Sequence, residues 1–523
     1  MTCKIFAVLS VLLLALAMPG LTQEEKLGKV SFANSCNAQV QPQLEQAVAM
    51  LHSFWYSAAE KAFRNVLTRD PSCGIATWGV AAILMSNPLA GAGSSPKGAA
   101  EAQAAIEHGR KIGAKTQRER DYIEAVASYY DNWANRPERE RQLSRAKAFE
   151  ALAARYPDDD EAQIFYALYL AATQSQADQT YAAYLKAAAI LEGQFKKYPD
   201  HPGVAHYLIH SYDAPPIAHQ GLPAARRYAT IAPAAPHALH MPSHIFTRVG
   251  EWADSAATNK RSAEVAKQGK DADEQMHAMD YMAYAYLQLA RDNDARLAME
   301  EAAQVSGYNR NAGYYAAAAI PARYAIERGD WNGAMKLQPI ANRFHYTEAL
   351  TRYARALGAA RMGDSASAEK EIEQLARLRD LLKKEKNDYW ATEVELSRLA
   401  ASAWSALASG KKDEALKLMR NAADIEDKNE KHIVTPGRIV PARELLAEML
   451  LELKRPAEAL TEFEASQKRE PNRFHGFAGA AQAAAQSGDS AKAKQYYSRL
   501  IELAGNGSPR PEVARAKEHL AQG

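Results

Sequence analysis

The chain lacks an excess of either charge: 64 Lys and Arg stand against 62 Asp and Glu, a net of +2 over 523 residues. A nucleic-acid surface needs a basic excess or stripe, so nucleic acid is not an expected partner. Aromatics are only 8% of the chain, while alanine runs are frequent. That balance favours closely packed helices over a β-sandwich. Period-two alternation is absent over any useful length, so no strand is predicted. There is no GxGxxG, P-loop or GxSxG, which leaves nucleotide binding and α/β-hydrolase chemistry without support. There is no HExxH either: His206-Tyr-Leu-Ile-His210 and His240-Met-Pro-Ser-His244 lack the glutamate a zinc peptidase needs. Cysteine is scarce, three in all, with no CxxC. Beyond the first twenty residues no stretch is long and apolar enough to span a bilayer, so no membrane span is expected in the mature chain.

What is present begins with an address. Lys4 is the only charge in residues 1–22, an apolar run follows from Ile5 to Met18, and small residues (Ala15, Ala17, Gly20) offer cleavage sites before a polar QEEK. This reads as a signal peptide over 1–22, the alternative being an uncleaved anchor. The mature protein is then exported, periplasmic or secreted. Cys3 falls inside the signal, which leaves Cys36 and Cys73 as a pair for a structural disulfide in an oxidising compartment. On the chain-entropy estimate, closing that loop contributes about 4 kcal/mol. Free or redox-active thiols are the alternative.

The remainder repeats one pattern. Ser57–Pro71, Arg145–Pro157, Ala187–Pro199 and Ala457–Pro471 each carry apolar residues three or four apart and then a proline. That spacing marks one helix face, and the proline stops the helix. Between such helices a glycine turn recurs: Gly250-Glu251-Trp252, Gly329-Asp330-Trp331, Gly363-Asp364-Ser365, Gly488-Asp489-Ser490. Glycine there suits the tight link between antiparallel helices. The pattern resembles the tetratricopeptide repeat (TPR) family, built of 34-residue helix–turn–helix units. The resemblance covers most of 40–507 in roughly ten units. It implies an all-α right-handed superhelix with a concave groove, and a scaffold that binds a peptide or protein partner there. The organisation expected is an N-terminal segment at 23–39, units over 40–201, central units over 202–348, C-terminal units over 349–507, and a tail at 508–523. The pattern breaks at 87–118, a Gly/Ser/Pro-rich insertion, and near 171–180 and 424–440.

Eight of the 14 histidines fall between His201 and His277, where an even spread would place about two. They are His201, His206, His210, His219, His237, His240, His244 and His277. His206 and His210 are four apart and share one helix face, and His240 and His244 repeat that spacing 34 residues later. Axes of packed helices lie roughly 8–10 Å apart, so the two pairs are able to converge on one point. Counted from the Gly250 turn, His237, His240 and His244 hold the second, fifth and ninth places of a unit. His277, Asp280 and Tyr284 hold those places in the next, and Arg323 the ninth in the one after. The TPR resemblance implies that these places face the groove, so His237, Tyr284, Arg323 and Glu327 are expected to line it. Asp213 lies on the His206 face near the helix end.

Three readings fit this ladder. His206, His210, His240, His244, His277 and Asp280 form a site for a divalent transition metal (Zn, Cu, Mn or Fe). Or the histidines are satisfied in helix interfaces or against a peptide without metal. Or His240 or His244 acts as a base oriented by Asp280. A metal-dependent hydrolase or oxidoreductase would use the same ligands with an open position, and Tyr284, Arg323 or Glu327 to handle charge. Pro242 and Pro321 fall at one repeat place, where a helix starts late or kinks. His52 reads as structural, while His108, His345, His432, His475 and His519 have no partner spacing. Residues 157–163 read as a helix start rich in Asp.

Overall fold

The computed structural model describes residues 26–522. The proposed signal at 1–22 lies outside the described residues. Helix follows helix from Gln41–His52 to Pro511–Gln522, with no strand among the described residues. The fold is the expected all-α superhelix of antiparallel helix pairs. No helix among these residues is long and apolar enough to cross a membrane.

Local sequence accounts for where the helices stop. The four proline-marked helices end two residues short of their prolines, at Arg69, Arg155, Lys197 and Arg469. The four glycine turns share one geometry. Gly250, Gly329, Gly363 and Gly488 all sit at positive φ, 64–86°. The next amide reaches back to the helix it leaves, as Asp489 N does to Ala484 O at 2.9 Å. That bond satisfies a carbonyl the helix end would otherwise orphan. In three of the turns the following aspartate caps the next helix: Asp330, Asp364 and Asp489 accept from the amides of Gly333, Ser367 and Lys492. Gly-Asp therefore ends one helix and starts its partner. The small residues on the inner faces, Ala319, Ala354, Ala400 and Ala480 among them, are fully buried and let the helices approach closely.

Cys36 and Cys73 form a disulfide, with 4.7 Å between Cα atoms. It ties the segment before the first helix to the end of the first helix pair. Two regions differ from expectation. In the 87–118 insertion the irregular chain ends at Ser95, whose hydroxyl accepts from Gly98 N and caps a helix, Pro96–Ile112. Alanine spacing and a proline in the first turn start that helix, signals the glycine and serine residues outweighed in the sequence. The 508–523 tail holds another helix, Pro511–Gln522, anchored by Arg510 against Asp292 and by buried Val513 and Ala516.

The three breaks in the repeat meet in space. Residues 428–441 leave the helix Lys412–Asp427 without regular structure, yet are mostly buried. Glu430 N donates to Gln176 O (2.9 Å), and Tyr181 donates to Glu430 Oε1 (2.8 Å). The His432 ring donates from Nε2 to Ala90 O (3.2 Å) in the loop of the first insertion. Tyr281 reaches the carbonyls of Ile433 and Thr435 (3.1 and 3.0 Å). This segment fills part of the concave face. The C-terminal units close on the central ones as well: Trp252 Nε1 donates to Asn472 O, and Phe474 N to Gln288 Oε1.

Candidate metal centre

Four helical segments carry the histidines on the inner wall. Pro202–Ser211 presents His206 and His210. Pro242 divides the next stretch into Pro236–His240 and Pro242–Val249, so His237 and His240 lie on one piece and His244 on the other. The freed His240 carbonyl is taken by the Ser243 hydroxyl at 2.7 Å. Pro321, at the same repeat place, lies inside an unbroken helix, Asn311–Ile326. His277 comes from Ala272–Gln288. All six rings are buried, none more than 8% exposed.

The rings do not converge on one point; they form two trios. One ring nitrogen each of His206, His210 and His237 lie within 4.8 Å of one another, and so do those of His240, His244 and His277. In each trio an i,i+4 pair turns its Nε2 atoms together: 3.1 Å for His206 and His210, 3.0 Å for His240 and His244. The third ring is the second-place histidine of the following unit, His237 for the first pair and His277 for the second. The trios touch, with His210 and His244 ring centroids 5.7 Å apart.

The outer nitrogens fix the protons. His240 Nδ1 lies 2.7 Å from Asn259 Oδ1, and Asn259 Nδ2 donates to Ser255 O, which holds the amide with its oxygen toward the ring. His240 therefore carries its proton on Nδ1. His244 Nδ1 lies 2.8 Å from Asp213 Oδ2. Burial opposes ionisation of Asp213, but Lys431, Arg248 and His244 outweigh it and hold the carboxyl well below the usual range. His244 is thus also protonated on Nδ1. Burial, with the neighbouring histidines, keeps His240 well below its ordinary pKa, and burial takes His244 down to about 4 despite Asp213. Both are neutral at pH 7, so two Nε2 lone pairs face each other at 3.0 Å. Two acceptors at that distance repel unless a cation lies between them. His277, lowered to about 3 by burial, has Nδ1 buried with no partner.

In the first trio the outer contacts fix the proton of His206, while no hydrogen bond among the described residues holds His210 Nδ1, so His210 Nε2 is able to donate to His206 Nε2. His206 Nδ1 donates to the His52 carbonyl at 2.6 Å, leaving Nε2 a lone pair. His237 Nδ1 faces Glu274 Oε2 at 3.0 Å, and its Nε2 is buried without a partner. Burial of Glu274 opposes ionisation, yet His237 and Arg310 hold it at about 2, so it accepts the proton of Nδ1. Outer-shell partners of this kind orient a ligating imidazole and raise its basicity.

The remaining site expectations need correction at four residues. Asp280, expected as ligand and as the group orienting His240 or His244, belongs to neither trio. Its Oδ1 accepts from Arg323 Nε at 3.0 Å, and its Oδ2 is buried without a partner. A fully buried guanidinium requires a counter-ion, and Asp280 is within reach. Asp213 and Asn259 do the orienting instead. Tyr284 and Arg323 line no open groove, and Glu327 lines a separate cavity of about 470 Å³ with Arg361, His475 and Arg510. Arg323 donates to Arg438 O and Gly437 O, Glu327 pairs with Arg473 at 2.6 Å, and the Tyr284 hydroxyl contacts Arg473. They seat the 428–441 segment and the C-terminal units. His219 and His108 are exposed.

A cavity of about 680 Å³ gives access to the centre. His210 and His237 of one trio and His244 and His277 of the other form its floor, with Glu274 and Arg310 beside them. Phe54, Tyr56, Leu84, Ile433 and Val434 supply apolar walls, and Asn309, Asn311 and Arg343 a polar rim. Asp213, Asn259 and Glu274 were not predicted as parts of the site. Asp213 carried a spacing signal; Asn259, 19 residues after His240 on the outer helix, carried none.

No family model matches the chain, and no curated relative matches it. Among solved structures, the chain is similar to a tetratricopeptide repeat protein from Parabacteroides merdae. The likeness has 13% identity and a TM-score of 0.29, over 55% of this chain and 97% of that one.

Proposed function

We propose that this is an exported metalloprotein of TPR type, in which His240, His244 and His277 hold a transition-metal ion and present it to a small-molecule cavity. The observation that carries the reading is the pair of facing Nε2 lone pairs 3.0 Å apart. Two nitrogens bound to one tetrahedral zinc at about 2.0–2.1 Å lie about 3.3 Å apart, close to that separation. Three imidazoles leave a position free, and the cavity opens onto it, which suits a catalytic rather than a closed structural site. An all-imidazole set suits copper or zinc; manganese prefers carboxylates. Export is supported by the leader-like 1–22 segment and by the Cys36–Cys73 disulfide. Chemistry at such an ion is hydrolytic or oxidative, with the cavity holding the substrate.

The test is the metal content of the purified mature protein by elemental mass spectrometry, beside the double variant His240→Ala, His244→Ala. Near-stoichiometric metal, lost in the variant while helical circular dichroism is retained, supports the reading. No metal in the wild-type protein, even after reconstitution at neutral pH, overturns it. A peptide or protein partner remains the second reading, favoured by the helix-pair architecture and the rim at Asn309, Asn311 and Arg343. It requires capture of an exported partner that survives loss of the metal.

A further inference from the structure

We infer that His206, His210 and His237 hold a second metal ion beside the first, making a two-ion centre whose shared open face binds a small bridging anion. This rests on the metal reading above and extends it.

The first observation is the state of the donors. His206 Nε2 is a lone pair because its Nδ1 donates to a carbonyl, and His237 turns its Nδ1 to Glu274 and its Nε2 away from it. His237 Nε2 has no partner, and His206 Nε2 meets only His210 Nε2. A nearby cluster shows what a satisfied histidine group looks like. In His52, Glu161 and His201 the ring nitrogens are all engaged: His52 with Tyr207 and Glu161, His201 with Glu161 and the Val204 amide. That cluster needs no ion. In the two trios the Nε2 atoms of each i,i+4 pair face one another, the Tyr281 hydroxyl lies 3.4 Å from His244 Nε2, and His237 Nε2 has no partner.

The second observation is adjacency. The trios contact ring to ring at 5.7 Å (His210 and His244) and 5.8 Å (His237 and His240). Each contributes two rings to the floor of the same cavity. Two open positions therefore face one space, the arrangement by which paired ions clamp a single ligand.

The third is charge. The six donors are imidazoles, which bring no negative charge to an ion. The two carboxylates behind them are already compensated: Asp213 by Arg248 and Lys431, Glu274 by Arg310. Two divalent ions add charge that no protein group in contact offsets, so the centre recruits an anion from the cavity. Arg343 at the rim, exposed and in no ion pair among the described residues, favours the same class of ligand.

The test loads the full mature chain with Cu²⁺ alone, removes excess, and counts copper by elemental mass spectrometry alongside electron paramagnetic resonance. Wild type should hold two ions per chain with a broadened or silent signal from coupled spins. His237→Ala and His277→Ala should each hold one, with an ordinary mononuclear signal; His237→Asn serves if the alanine variant fails to fold. Azide, as probe anion, should bind at one per two copper ions with a charge-transfer band. One ion in wild type, unchanged in His237→Ala, overturns the second site and leaves the first standing. Two ions with uncoupled signals, or azide bound independently at each, overturn the shared face. No copper in any protein overturns both readings.

Discussion

His240 is held from behind and open in front. Asn259 accepts its Nδ1 proton, and nothing else available at that depth does so. Asn259→Ala removes this acceptor without touching a ligand, so metal affinity should fall about 10–100-fold with little change in melting temperature. Competition titration with a chelator measures it; unchanged affinity would show that the amide does not orient the ring. Arg323 and Asp280 make the opposite kind of pair, structural and fully buried. Arg323→Met alone strands a carboxylate and should cost about 3–5 kcal/mol in urea unfolding. Adding Asp280→Leu should restore the part of that loss due to the stranded charge, and the remainder belongs to the Gly437 and Arg438 carbonyls that Arg323 also satisfies. Metal binding should survive in the double variant.

Helix ends are local matters, and at the repeat turns local sequence was enough. Proline two residues past a helix and Gly-Asp between helices marked boundaries that the structure reproduces. Gly250 and Gly488 share the left-handed conformation but not their surroundings. A Cβ on Gly488 meets nothing within 4 Å, whereas one on Gly250 would lie 2.6 Å from Pro471 O. Gly488→Ala should cost about 1–2 kcal/mol, the strain of a left-handed backbone alone. Gly250→Ala should cost clearly more, because the 470s must also move away; equal denaturation midpoints would mean the closure there is loose. The histidine places were legible for the same reason, as a 34-residue echo. How they group was not. The fifth and ninth places of one unit take the second place of the next, a rule that only the packing of successive helices reveals. Asn259 lies on an outer helix, and the Arg473–Glu327 pair spans 146 residues, so no spacing announces either.

At the scale of the molecule, the interruptions in the repeat are what make the superhelix close. The loop before Ser95, the 171–181 turn and the 428–441 segment each look like a defect alone; together they fill the concave face, and the first and third wall the cavity. Sequence showed where the pattern failed but not that the failures meet, since their contacts join residues hundreds of positions apart. Closure also buries acids. Glu426 sits under the Ala442 amide, and burial, with Glu393 and Glu470 near, pushes its carboxyl from 4.5 up to about 7. The folded chain then holds a proton that the unfolded chain releases. Stability is fully present below about pH 4.5 and declines as pH rises toward 7. Urea midpoints across that range should show the decline, and Glu426→Gln should flatten it; an identical slope in the variant would assign it elsewhere. The metal centre itself is tested most directly by anomalous diffraction from crystals of the metal-loaded chain. The account predicts a peak about 2.0–2.2 Å from His240 Nε2, His244 Nε2 and a ring nitrogen of His277, on the floor of the cavity. A loaded crystal whose metal lies only at the surface, with those three rings empty, would contradict it.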